Sequence, residues 1–365
     1  MDFEPNCQTT AMAAMPHVDP ERALKLALGL DVPFWPQLPR LSFSEDMFAQ
    51  FADGFPGTSI NLDEKRVEFD SLRFSEELDN FSASMDDPQI LALHDWNSVT
   101  YSRFLERDLS SYPAIRGQVC GPVNFGFRVT DEERRPLIYD DDIRVLLFDF
   151  ALRKVNFQYH QLAEKHPNTF VWMDEPGLGW VFSSFAGYNE LQASQDYRNF
   201  LEGFDGPRAL HLCLNVDLPY LLDLGLDLLS IDAFQLEIMP RAYAQPVADF
   251  LNNNGILSWG IVPTESGTLD PRTSDTLFDR LTGYWKVIAD NADISLEKIA
   301  RQSLIAPSKC CIKNAVMADL EGDNSQQLQA RVDSADAKME ENLVERAFLY
   351  LQEISWMLKE RFGIA

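Results

Sequence analysis

Short apolar runs, each closed by a proline, a glycine or a polar cluster, recur along the chain and alternate with longer stretches of helical periodicity. Eight runs stand out: Thr9–Ala14, Val32–Gln37, Ala114–Cys120, Thr169–Asp174, Ala209–Leu214, Leu228–Asp232, Gly255–Val262 and Ser303–Pro307. Between them the spacing predicts helices over Pro20–Leu28, Asp141–Leu162, Tyr188–Gly203, Leu218–Gly225, Ala242–Asn252, Thr273–Asn291 and Ser334–Phe362. Strands buried on both faces read as continuous apolar runs, and strands alternating with helices of this length form parallel βαβ units. Eight such units predict an α/β fold, a single (β/α)8 (TIM) barrel over 1–365, with a doubly wound open sheet as the alternative. No glycine-rich phosphate loop follows the first run, so nothing supports a nucleotide-binding form of the open sheet.

One interval breaks the rhythm. Some seventy residues, 41–112, separate the second and third strands and are expected to form a rim insertion, either a lid or a plain structural excursion. Within it, the stretch from Asp46 to Phe51 reads as a short helix, Gly54-Phe55-Pro56-Gly57 as a turn and Arg66–Phe74 as extended chain. The acidic runs Asp140-Asp141-Asp142 and Glu340-Glu341 are read as helix N-terminal caps, and the polar segment Asp319–Asp336 as an exposed excursion.

Charge narrows the function classes. With 57 acidic and 31 basic residues the chain carries a formal net charge of −26, which repels phosphate backbones and anionic lipid surfaces. No run approaches the ~20 apolar residues that a bilayer span needs, and the N-terminal residues lack the pattern of a secretion signal, so a cytoplasmic location is expected. Five cysteines in a chain of 365 residues are then better read as thiols or metal ligands than as disulfides.

In a barrel the chemistry sits at the C-terminal ends of the strands. Those ends carry His17, Gln37, Cys120, Asp174-Glu175, His211 with Cys213, Asp232, Glu265, and Lys309-Cys310-Cys311. His211 and Cys213 are two residues apart, so on a strand they share a face, and an imidazole beside a thiolate is a donor pair that tetrahedral zinc favours. Each residue also has a plainer reading. A lone His or Cys near an apolar strand is usually core, Asp174-Glu175-Pro176 can cap a helix, Glu265 can be a loop residue, and His17 can cap the first helix or line a substrate site.

Together these motifs resemble the catalytic barrel of cobalamin-independent methionine synthase. Met12-Ala13-Ala14-Met15-Pro16-His17 resembles that family's Ile-Gly-Ser-Phe-Pro-Gln, and Cys120-Gly121-Pro122-Val123 resembles its Gly-Pro-Val. Trp172-Met173-Asp174-Glu175-Pro176-Gly177-Leu178 matches its Asp-Glu-Pro-Ala-Leu, and His211-x-Cys213 its zinc-binding His-x-Cys. Asp232 falls where the family carries a glutamate ligand. Ala306-Pro307-Ser308-Lys309-Cys310 resembles its Asn-Pro-Asp-Cys with one extra residue. The similarity runs through nearly the whole chain in order and corresponds to the C-terminal, catalytic barrel of the full-length family. Leu210–Asp232 also resembles the uroporphyrinogen decarboxylase-like methyltransferases, which methylate a thiol from a corrinoid protein.

The resemblance implies a zinc-dependent methyltransferase acting on a thiol, most naturally homocysteine to give methionine. It implies Zn2+ held by His211, Cys213, a labile Asp232 and one of the adjacent pair Cys310 and Cys311, with Cys310 favoured as the ligand and Cys311 as its packing neighbour. Asp174 and His17 would be catalytic, Asp174 holding the substrate's ammonium group, and Gln37 and Glu265 would bind substrate. Ala13-Ala14 departs from the family's Gly-Ser and Gln37 from its acidic residue, so another thiol, or a non-catalytic zinc- or thiol-binding barrel, stays open. The net charge disfavours the anionic tail of a polyglutamylated folate, and the expected methyl donor is methylcobalamin or a corrinoid protein, with folate as the alternative through local basic residues such as Arg40, Arg116 and Lys309.

Overall fold

Six of the eight apolar runs form strands whose residues are buried on both faces, as a sheet covered by helices on one side and curled around its own interior on the other requires. The computed structural model describes residues 3–182, 187–214, 217–312 and 334–364. Its main sheet contains β1 (Gln8–Thr9), β4 (Ile115–Cys120), β5 (Thr169–Asp174), β6 (Arg208–Leu212), β7 (Leu228–Ile231), β8 (Ile256–Val262) and β9 (Ser303–Pro307). Strands β2 (Thr58–Asn61) and β3 (Arg66–Phe69) make a separate antiparallel hairpin. The seven strands are all parallel, in the order β1-β9-β8-β7-β6-β5-β4.

Side chains alternate across this sheet with period two, and the apolar ones sort into two cores. Ala114, Phe170, Trp172, Ala209, Leu228, Ile256 and Leu304, with Val32, form one cluster without a residue from any helix. Their outward neighbours, including Ile115, Val171, Leu210, Leu229, Leu257 and Ile305, pack with the helices in the other. The first set lines the concave side of a curled sheet.

The second predicted strand is the main departure. Residues 32–37 make only isolated parallel bridges, Phe34 to Arg116 and Ala14 to Gln37. Hydrogen bonds nevertheless tie this segment to both edges of the sheet: Val32 N–H donates to Thr9 O at 2.9 Å, Gln37 N–H to Ala13 O at 2.9 Å, and Arg116 N–H to Pro33 O at 3.1 Å. Pro33 and Pro36 have no N–H to give, which breaks the regular ladder that an apolar run otherwise forms. The first strand is likewise shorter than predicted, ending at Thr9.

The helices follow their predicted spans closely, from Pro20–Ala27 and Asp141–Ala163 to Ser274–Asn291 and the closing helix Ser334–Phe362. Asp140 caps the second of these, accepting from the N–H groups of Asp142 and Ile143. Glu340 and Glu341 do not cap a helix. They lie inside the closing helix and pair with Arg40 at 3.1 Å and Arg22 at 2.7 Å. Residues 319–333 of the polar excursion lie outside the described residues. None of the described helices is long and apolar enough to cross a membrane.

The insertion is folded rather than extended. Met47–Ala52 is helical, and Gly54 and Gly57 turn with φ of +88° and +75°, a region that favours glycine. The extended chain stops at Phe69 because Asp70 caps a helix, Ser71–Ser84, that the alternation of residues 66–74 does not reveal. Phe55 stacks on Phe81, Phe125 and Phe150 with ring centroids 5.6–6.3 Å apart, which fastens the insertion to the helices Pro122–Arg128 and Asp141–Ala163.

Candidate functional site

Parallel strands deliver their C-terminal ends to one mouth, and the register places chemically capable residues side by side there. Cys120 pairs with Asp174, Asp174 with His211, His211 with Ser230, and Ser230 with Ser258, so five neighbouring strands contribute one continuous row. Cys213 and Asp232 follow directly after β6 and β7, and Cys310 shortly after β9.

His211 is buried and oriented. Its Nδ1 lies 3.0 Å from Ser230 Oγ, its ring centroid is 5.6 Å from that of Trp172, and its Nε2 has no protein partner among the described residues. Burial, reinforced by the charge of Arg116, pulls its pKa down to about 3. The imidazole is therefore neutral at neutral pH and holds a lone pair to offer.

Around it the acidic groups are pushed toward their protonated forms. Burial raises Asp174 to about 7 against the opposing charge of Arg116, and its Oδ1 has no partner. Burial raises Asp232 to about 7, partly offset by Lys309, while Asp232 Oδ1 accepts from the Gln235 N–H at 3.1 Å. Cys213 is pushed up to about 12 by burial and then by Asp232 and Asp174. Cys310 rises well above an ordinary thiol through burial, then through Cys213, Asp174, Cys311 and Asp46. Cys213, Cys310, Asp232 and Asp174 thus share one neighbourhood whose groups repel each other when ionised. As they lie, no three His, Cys, Asp or Glu side chains among the described residues stand close enough to hold a metal ion.

The other predicted residues are placed as follows. Cys311 is buried and donates its backbone N–H to Ala14 O at 3.2 Å. Gln37 is buried, donating to Gln50 Oε1 at 2.6 Å and leaving its own Oε1 without a partner. Glu265 is exposed, 3.8 Å from Lys309 Nζ. His17 is buried with both ring nitrogens unpartnered among the described residues, but the charges acting on it are Glu341 and Glu345 of the closing helix and Arg22 and Asp19 of the first helix and its cap. Those contacts do not join it to the row around His211.

Asp174 and Glu175 part company despite adjoining each other. Glu175 turns away from the mouth, accepts from the N–H groups of Val123 and Asn124 and from the Tyr197 hydroxyl, and so caps the helix Pro122–Arg128. A Cβ on Gly121 would lie 2.0 Å from the Glu175 carboxylate, so only glycine leaves room for this arrangement. The capping function of the motif belongs to Glu175, and it serves the preceding helix rather than the following one.

Three contributors take a place in the site that their sequence context does not assign to them. Ser230 shares a face with Asp232, two residues on, which period-two spacing makes visible. Arg116 is a cation inside an apolar strand, also visible. Asp46 reaches Cys310 and Cys120 electrostatically from the insertion, and no local pattern announces it.

No family model and no curated protein sequence matches the chain. Among solved structures, one similar fold is a B12-independent methionine synthase from Shewanella sp. W3-18-1 in complex with selenomethionine. It is 12% identical with a TM-score of 0.44, and the alignment covers 69% of this chain and 64% of that one. At that distance no activity follows from the likeness.

Proposed function

We propose that this chain is a zinc-dependent methyltransferase that moves a methyl group to the sulfur of an amino-acid thiol, homocysteine to give methionine. We place the chemistry at the mouth of an eight-stranded (β/α)8 barrel that residues 32–37 close. The observation that carries the reading is His211: one ring nitrogen is held by Ser230, and the other is buried, neutral and without a partner. A hydrogen bond on one imidazole nitrogen is how proteins orient the other toward a metal. Cys213, Cys310 and Asp232 complete a donor set suited to zinc, and the mutual repulsion of their ionised forms is what a divalent cation relieves. Holding zinc requires these side chains to lie closer together than they do here. When bound, zinc lowers the pKa of a coordinated thiol so that it is a thiolate at neutral pH.

The protein's own groups do the rest. Asp174 accepts the ammonium group of the substrate, and the unpartnered Gln37 Oε1 and the Glu265 carboxylate extend the polar lining. Buried Trp172 packs beside the His211 ring and gives the site an apolar wall. Sulfur uses its lone pair to form a bond to the methyl carbon as the bond from that carbon to the donor breaks, the electron pair of the broken bond stays on the donor, and the thiol proton leaves to solvent. We assign a methylcorrinoid as donor, free or on a carrier protein, because a net charge of −26 opposes an anionic folate tail.

Metal analysis provides the first test. Cys213→Ser is expected to lose stoichiometric zinc and Cys311→Ser to keep it; full zinc in the first variant sinks the ligand assignment. Asp174→Asn is expected to weaken homocysteine binding by about 10- to 100-fold with zinc content unchanged. Methionine formation by zinc-loaded protein from methylcobalamin, compared with methyltetrahydrofolate triglutamate, tests the donor. Turnover with the triglutamate alone overturns the corrinoid assignment.

A further inference from the structure

We infer that Arg116 and Trp172, on the inner face of the sheet below the mouth, form a carboxylate subsite, so that substrate is held as a zwitterion between them and Asp174. This deepens the reading of the site as one for an amino-acid thiol and rests on it. Arg116 is fully buried, with Nε donating to Thr10 Oγ1 at 3.1 Å and Nη1 to Gln118 Oε1 at 2.9 Å and Gly117 O at 3.3 Å. Its guanidinium lies between two rings, 4.6 Å from the centroid of Phe34 and 3.8 Å from that of Trp172. All of these partners are neutral. A guanidinium removed from water without a bonded anion is costly, and proteins rarely keep one without a use for it.

The unpartnered atoms define what would satisfy it. Arg116 Nη2 and Trp172 Nε1 have no protein partner among the described residues, and both can only donate. Asp174 is the carboxylate whose charge acts on Arg116, and its Oδ1, like Arg116 Nη2, has no protein partner among the described residues. A ligand that joins them must accept at the Arg116 and Trp172 end and donate at the Asp174 end. An α-amino acid does both, through its carboxylate and its ammonium group. Asp174 pairs in register with His211, and the ring of Trp172 lies 5.6 Å from that of His211, so a side-chain thiol on the same ligand falls to the His211 side. A bridging water has the same donor and acceptor capacity and is the competing occupant.

Calorimetric titration of zinc-loaded protein with three thiols separates these possibilities: homocysteine, 3-aminopropane-1-thiol, which lacks the carboxylate, and 4-sulfanylbutanoate, which lacks the ammonium group. In the unaltered protein, losing the carboxylate is expected to weaken binding by about 10- to 100-fold, the range for a buried charge-assisted hydrogen bond. In Arg116→Gln that penalty should vanish while the penalty for losing the ammonium group stays. Melting temperature and zinc content establish that the variant is folded. Should Arg116→Gln fail to fold, Arg116→Lys, which keeps a cation but not the planar fork, is expected to retain only part of the carboxylate penalty. Equal binding of homocysteine and 3-aminopropane-1-thiol by the unaltered protein overturns the subsite in favour of water. An undiminished carboxylate penalty in a folded Arg116→Gln overturns the role of Arg116. If none of the three thiols binds, the thiol reading fails and the subsite with it.

Discussion

Two neighbouring acids show how strongly position decides chemistry. Asp174 and Glu175 differ by one residue and therefore by one face of the strand end. One is left with a free oxygen at the mouth, while the other is spent on a helix terminus and the Tyr197 hydroxyl. Burial holds the Glu175 carboxyl at about 8, well above its ordinary value. The folded state therefore keeps a proton that the unfolded chain releases near pH 4.3. The resulting stabilisation is complete below that pH, declines as pH rises, and is gone above about pH 8. In Glu175→Gln the group does not titrate. The stability advantage of the unaltered protein over this variant should thus shrink between about pH 5 and pH 8, by on the order of 3 kcal/mol. Urea denaturation across that range measures it, and an advantage that stays constant or grows would count against a protonated Glu175.

Among the elements, the strands show why apolar runs are a good but incomplete guide. A buried parallel strand needs an unbroken supply of N–H groups, and the run over residues 32–37 fails that condition at two prolines while meeting the hydrophobic one. In β8 the constraint is steric. Gly260 has Ile231 O and Pro307 O at 2.4 and 2.8 Å from where its Cβ would lie, beside an irregular register between Gly260 and Val262. Both obstacles are backbone, so they cannot rotate away. Gly260→Ala is expected to destabilise the fold by about 1–3 kcal/mol, read as a lower urea midpoint. An unchanged midpoint would mean that the neighbouring strands part more easily than their packing indicates.

Across the whole molecule, the charge imbalance outruns the ion pairs. Arg22 is shared between Glu341 and Glu345, Arg40 pairs with Glu340, and Arg103 and Arg107 both pair with Glu21, but a formal −26 remains. Like charges at that density oppose compaction, and screening relieves them, since the Debye length falls from about 30 Å at 0.01 M salt to about 3 Å at 1 M. The melting temperature should therefore rise with added sodium chloride over that range. A fall would show that the surface pairs outweigh the net repulsion.

Chain order, the six long strands of the main sheet, the helices and the residues at the strand ends are all legible in the sequence, because period two, period 3.6 and capping are local properties written in neighbouring residues. His211, Cys213, Asp174 and Asp232 are visible as candidates for the same reason. The sequence does not reveal which faces meet. That Ser230 fixes one nitrogen of His211, that Glu175 serves the helix before it, that Arg116 is buried among neutral partners, and that Asp46 reaches the mouth from the insertion all depend on strand register and on chain returning from tens of residues away. The hydrophobic pattern decides what is buried, while the tertiary fold decides what each buried polar group faces, and whether its charge is compensated.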